Sequence, residues 1–173
     1  MPKGASTSTR PRGWSARTAF VAYAAILAGI VALDQLTKYL ARTQLADGAA
    51  HTVIPGLFDF QLVYNRGAAF GMMQGKSALF VLIALVLVAG SLVYLARADE
   101  RRALEVVLLA CIGGGGVGNL IDRCIGSHAV TDFIATTFID FPVFNVADIA
   151  VTLGCICLVV YLFVGLKEEA RKE

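Results

Sequence analysis

Asn119, Asp122 and Arg123 stand at i, i+3 and i+4, the spacing that puts three side chains on one face of a helix. Asn145 and Asp148 repeat the i, i+3 step, and Asp34 and Lys38 are four apart. Asp132 lies in a short extended stretch between the two later sets. Two carboxylates brought close together do not both ionise easily, so one keeps its proton while the other is charged. The charged one can deprotonate a water, and the protonated one can polarise a carbonyl and later protonate the leaving amine. That is aspartic-peptidase chemistry, and it calls for no metal and no other cofactor. Spacing alone leaves open whether Asp122 or Asp132 partners Asp148. Each residue also has a plainer reading: Asp34 and Lys38 as an ion pair, Asp122 and Arg123 as interfacial caps, Asn145 as the cap of a helix with Asp148 in its first turn. Their coincidence at one depth favours a site. Asp47, Asp59 and Asp140 read as solvated loop charges. The only histidines are His51 and His128, and the sequence holds no H-E-x-x-H, no G-x-S-x-G and no D-x-x-D pattern.

The elements that must position these residues are apolar. The 173 residues are 57% hydrophobic and only 16% charged, against roughly 25% in soluble domains, and the mean hydropathy is +0.71. Four segments approach the ~20 apolar residues a bilayer crossing takes: 18 to 41, 77 to 96, 103 to 121 and 146 to 165. The expected fold is therefore an all-α integral membrane bundle of four transmembrane helices with a small extracytoplasmic β element. Ten of the fifteen basic residues fall in the N-terminal stretch, the loop between the second and third segments, and the C-terminal stretch. The positive-inside rule puts those three regions in the cytoplasm and the polar layer at the opposite, outer face. No cleavable signal peptide is read; residues 1–16 are expected to be a disordered cytoplasmic tail, 17–166 the membrane domain and 167–173 a second cytoplasmic tail. The net charge of +2 points to no nucleic-acid partner.

Between the helices, Phe58, Phe60, Leu62 and Tyr64 alternate as on one face of a strand, ending in the turn Asn65-Arg66-Gly67. Such a strand could lie on the lipid surface or cradle a lipid. A second, shorter extended piece is expected at 130 to 134. Gly114 and Gly118 are four apart, a small-residue face for close helix packing. Cys111, Cys124, Cys155 and Cys157 are read as small buried hydrophobes rather than a disulfide set or a metal site. A transporter would space its polar residues through the membrane thickness, and the second segment has none. A lipid head-group transferase would need a metal-binding acidic cluster or a phosphate site.

Five blocks resemble the bacterial lipoprotein signal peptidases, or signal peptidase II family: Asp34-Gln35-Leu36-Thr37-Lys38; Tyr64-Asn65-Arg66-Gly67-Ala68-Ala69-Phe70-Gly71; Gly118-Asn119-Leu120-Ile121-Asp122-Arg123; Val130-Thr131-Asp132-Phe133-Ile134; and Phe144-Asn145-Val146-Ala147-Asp148. They occur in the family's order, over about residues 18 to 165. The resemblance implies that Asp132 and Asp148 form the catalytic dyad. Asn119, Asp122, Arg123 and Asn145 would support the dyad and the substrate backbone, and Asp34, Lys38 and Asn65 match the family's other polar positions. It further implies an endopeptidase that cuts diacylglyceryl-modified prolipoproteins just before the lipidated cysteine and is inhibited by globomycin. Such an enzyme would work in contact with membrane lipid, as a monomer, in the bacterial cytoplasmic membrane. The connection from Arg123 to Thr131 is one residue longer than the family pattern leads one to expect.

Overall fold

The structure is a computed structural model that describes residues 13–67, 77–125 and 128–171. Its elements are α1 (Ala16–Gln44), β1 (His51–Ile54), β2 (Phe58–Asn65), α2 (Ser77–Arg97), α3 (Ala103–Cys124), β3 (Val130–Thr136) and α4 (Val146–Ala170). All four helices are long and apolar enough to cross a membrane. The expected positions hold, with ends extended by up to five residues. α1 starts inside the stretch expected as a tail. Ser15 caps it by accepting the Thr18 N–H at 3.1 Å, and the Trp14 N–H donates to the Arg101 carbonyl at 2.7 Å. α4 likewise runs past residue 166 to Ala170. Residues 1–12 lie outside the described residues, as do Ala68 to Gly71 of the second family block.

α3 is the centre of the bundle, packed by α1, α2 and α4, and its glycines set how closely. A Cβ on Gly114 would press on Ile30 of α1, and one on Gly118 would lie 2.5 Å from Asp34 Oδ2, so these two form the expected small face toward α1. Gly115 faces α4, where a Cβ would run into the Ala147 carbonyl oxygen. Gly116 faces α2 with room to spare, Ala84 Cβ being 3.5 Å away. α2 leans on α3 and, less, on α1.

The strands form one antiparallel sheet in the order β1-β2-β3. β1 was not anticipated, although its signal is in the sequence: Pro55-Gly56 is a turn dipeptide, Gly56 has φ +74° and the Leu57 N–H closes the turn on the Ile54 carbonyl. The alternation expected of β2 is broken by a bulge. Phe60 pairs with Ile134, but Val63, not Leu62, pairs with Asp132. One extra residue in β2 reverses the facing of everything after it. Phe60 and Leu62 join Phe133, Ala41 and Leu45 in a core between the sheet and the end of α1, while Tyr64 is exposed. The strand is thus half core, not a single aromatic face on lipid. The cysteines also depart from expectation: Cys111 is half-buried, and Cys124, Cys155 and Cys157 are exposed on the bundle's outside. In a membrane bundle the outer surface is apolar too, so a hydrophobic sequence context does not imply a core position.

Candidate active site

The first turn of α4 is built by a reciprocal cap. The Asn145 side-chain oxygen accepts the Asp148 backbone N–H at 3.0 Å, and Asp148 Oδ2 accepts the Asn145 backbone N–H at 3.1 Å. This is the capping-box arrangement, with Asn and Asp in place of Ser and Glu. It fixes the Asp148 carboxylate beside the helix N-terminus, where negative charge is favoured. Its other oxygen accepts from Asn119 Nδ2 at 2.7 Å. The helix-capping reading of Asn145 and Asp148 is therefore true, and the cap is what aims the carboxylate.

Asp132 sits on β3 and is 2% exposed. Asn145 Nδ2 donates to its Oδ1 at 2.6 Å, and Asn65 Nδ2 to its Oδ2 at 3.0 Å. The second bond exists because of the bulge in β2. Regular pairing onward from Phe60 would turn Asn65 to the opposite face of the sheet. The shifted register places it opposite Val130, on the same side as Asp132. Burial, and then the charge of Asp148, push the Asp132 carboxyl up to about 7; the Asn65 and Asn145 donors and Lys38 act the other way.

Asp132 and Asp148 both line a cavity of about 570 Å³ between α2, α3 and α4. Asn65, Asn119 and Arg123 share its polar end; Phe80, Ile83, Leu87, Val151 and Leu153 make the rest apolar. The Arg123 guanidinium lies 4.9 Å from the centre of the Phe80 ring and donates to the Asn119 carbonyl at 3.2 Å and the Gly67 carbonyl at 3.4 Å. It thereby ties α2, α3 and the end of β2 together at the cavity's rim.

Asp122, the other candidate partner, is not among the residues lining this cavity. Its Oδ2 accepts the Thr131 N–H at 3.0 Å and lies 3.1 Å from Lys38 Nζ; its Oδ1 accepts from Gln35 Nε2 at 3.3 Å and is 3.9 Å from Arg42. It faces a separate cavity of about 320 Å³ between α1, α3 and β3. The Thr131 contact pins the start of β3 one residue before Asp132, so Asp122 anchors the longer connection. Asp34 and Lys38 are both fully buried and 2.9 Å apart. Asp34 also accepts the Ala147 N–H at 3.0 Å, taking up a free amide in the first turn of α4. The ion-pair reading of Asp34 and Lys38 is correct, and the pair is fully buried.

Every residue singled out in the sequence thus falls in one connected network, while the sequence reading missed Gln35 and Arg42. Gln35 Nε2 lies within 3.3 Å of Asp34, the Gly118 carbonyl and Asp122. Arg42 donates to Thr131 Oγ1 at 2.9 Å. Their i+1 and i+4 placement relative to Asp34 and Lys38 was the available signal.

The chain matches the family model described as "Signal peptidase (SPase) II" over residues 20–164. It is 45% identical over 134 residues to a lipoprotein signal peptidase of Symbiobacterium thermophilum, covering 76% of this chain and 88% of that one. It is 39% identical over 147 residues to one of Brevibacillus brevis, covering 85% and 98%. Among solved structures it resembles a bacterial membrane enzyme determined by the in meso method at 2.3 Å, with a TM-score of 0.79 and 29% identity over 94% of this chain and 95% of that one. A second such structure, at 1.9 Å, matches with a TM-score of 0.74.

Proposed function

The chain belongs to the signal peptidase II family, and from that premise we propose that Asp132 and Asp148 are the pair with which it hydrolyses its substrates. The protein is a membrane aspartic endopeptidase that removes signal peptides from prolipoproteins. The observation that carries the assignment is the convergence of two carboxylates on one cavity, each held by asparagine N–H donors. With one proton on the pair, the ionised carboxylate removes a proton from water and the oxygen bonds to the scissile carbonyl carbon. The protonated carboxyl donates to the carbonyl oxygen. The tetrahedral intermediate then collapses as the nitrogen takes a proton and leaves. Asn119 and Asn145 hold the carboxylates, Asn65 holds Asp132 against the sheet, and Asp122 and Arg123 hold the surrounding backbone.

The finer particulars belong to the same proposal. The bond cut is the one just before a diacylglyceryl-modified cysteine, whose acyl chains suit the apolar part of the cavity. The arginine-rich loops support a cytoplasmic-membrane enzyme with both termini in the cytoplasm and the site at the outer face. The catalytic unit is the bundle from α1 to α4, Ala16 to Ala170. The enzyme acts as a monomer and binds globomycin-type inhibitors in the same cavity.

The test is cleavage in detergent of one precursor with and without the diacylglyceryl group. The modified precursor is expected to be cut and the unmodified one at least about tenfold more slowly, the lost acyl contacts being worth ~1.4 kcal/mol or more. Folded protein that leaves the modified precursor intact overturns the reading. The pH dependence follows from Asp132. The pair works while it holds one proton, and loses it as pH rises through about 7. Cleavage is therefore expected to fall on the alkaline side with a midpoint near pH 7, measured as kcat against pH. A rate that climbs steadily to pH 9 would contradict the shared-proton mechanism.

A further inference from the structure

Lys38 is a buried cation to which the mechanism above gives no part. It is fully excluded from solvent. Its ammonium meets three acceptors: Asp34 Oδ2 at 2.9 Å, Asp122 Oδ2 at 3.1 Å and Asn119 Oδ1 at 2.9 Å. The first two are an ion-pair arrangement that any bundle could use. The third has a different consequence. A side-chain amide has one accepting and one donating end. An ammonium only donates, so Lys38 fixes Asn119 with its oxygen inward and its nitrogen outward. That nitrogen donates to Asp148 Oδ1 at 2.7 Å. The same Asn119 oxygen accepts from Asn145 Nδ2 at 3.1 Å, and Asn145 Nδ2 also reaches Asp132 Oδ1 at 2.6 Å. The Asn145 oxygen is meanwhile taken by the Asp148 N–H. Both amides are thus oriented from one end by a single cation, and both aspartates are met by donors.

We propose that Lys38 is a positioning residue for the peptidase reaction: through Asn119 it turns amide N–H donors onto Asp148 and Asp132, and its charge favours the ionised state of the pair. This rests on the reading of Asp132 and Asp148 as the catalytic pair. The charged groups facing Lys38 are Asp34 from α1 and Asp122 from α3, with Asp148 of α4 one asparagine further out and Asp132 of β3 two. Arg42 stands beyond Asp122, 3.9 Å from its Oδ1, and Arg123 lies on the cavity side. Two carboxylates touch Lys38 directly, so a variant at this position has to be read with its charge balance restored.

Lys38→Met alone leaves Asp34 and Asp122 buried without their cation and is expected to lose folded protein. Lys38→Met/Asp34→Asn removes one charge of each sign, and Asp122 keeps the Thr131 N–H, Gln35 and Arg42. This double variant is expected to melt close to wild type in detergent. Its kcat on the lipid-modified precursor is expected to fall about 100-fold with KM within about threefold. The acid limb of its kcat profile should lie about one pH unit above that of Asp34→Asn alone, because a carboxylate that loses a nearby cation needs higher pH to ionise. Asp34→Asn with Lys38 intact removes a like charge near the pair, so its acid limb should lie at or below the wild-type position. Asn119→Leu, which keeps the cation and removes the amide link, is expected to lose kcat by a similar factor. A folded double variant with wild-type kcat and an acid limb no higher than that of Asp34→Asn would make Lys38 a structural ion-pair member only. Normal cleavage by Asn119→Leu would equally overturn the route through Asn119. Asp132→Asn and Asp148→Asn run alongside: if either cleaves well, the reading of the pair has failed, whatever Lys38 does.

Discussion

Asp132→Asn and Asp148→Asn are each expected to lower kcat on a lipid-modified precursor by several powers of ten, roughly 10³-fold or more, while Asp140→Asn cuts normally. Asp140 lies on an exposed loop between β3 and α4. Each variant removes a group that the proposed mechanism needs to hold and release a proton, and among the described residues the side chains hydrogen-bonded to Asp132 and Asp148 are asparagines. Folding has to be read separately. Both Asp132 oxygens accept N–H donors, so an asparagine there sets one N–H against another, at a cost of about 1–3 kcal/mol. A melting curve in detergent beside the cleavage gel separates the two effects. Asp132→Asn that is folded and retains a tenth of wild-type activity would return Asp122 to consideration as the partner.

The second large effect concerns adjacent glycines with opposite outcomes. Gly115→Ala drives a methyl into the Ala147 carbonyl oxygen and to 2.7 Å from Val151 Cγ2. The obstacle is backbone, so α4 itself must move. Overpacking of this kind costs about 1–3 kcal/mol, or roughly 2–12 °C in Tm for a chain of this size. Asp148 follows Ala147 directly. A displacement there of ~1 Å is expected to cost about 100-fold in kcat as well. Gly116→Ala meets only Ala84 at ordinary contact distance, and alanine is the better helix former by about 1 kcal/mol, so it should melt at or above wild type. Thermal unfolding of the two variants in the same detergent decides it; equal melting temperatures would mean that the α3–α4 contact has slack that the packing does not suggest.

The helices were legible because lipid demands long apolar runs, and a run of twenty such residues has few other meanings. The layer of polar residues was legible for the same reason, since charge in such a segment stands out. The choice of Asp132 over Asp122 was legible through the family resemblance but not through spacing. Helical spacing says which residues share a face, but not what that face meets. Asp122 and Asn119 share one turn of α3, yet Asp122 looks toward α1 and Asn119 toward α4. The bulge in β2 was equally hidden, because alternation of Phe58, Phe60, Leu62 and Tyr64 predicts an unbroken strand. The extra residue brings Asn65 to Asp132, a tertiary contact that alternation does not encode. The exposed cysteines mark a limit of composition: hydrophobicity tells a residue to avoid water, and in a membrane two different places satisfy that.

Asp132 is carried by the sheet and Asp148 by the last helix, and among the described residues the hydrogen bonds that join them run through Asn119 of α3 and Asn145 just before α4. No contiguous piece of the chain holds a working pair. On the proposed pair, the chain up to β3 would present Asp132 without Asp148, and hydrolysis would await the docking of α4 on α3. A protease assembled in this way would be inert among other nascent membrane proteins until its last helix is in place.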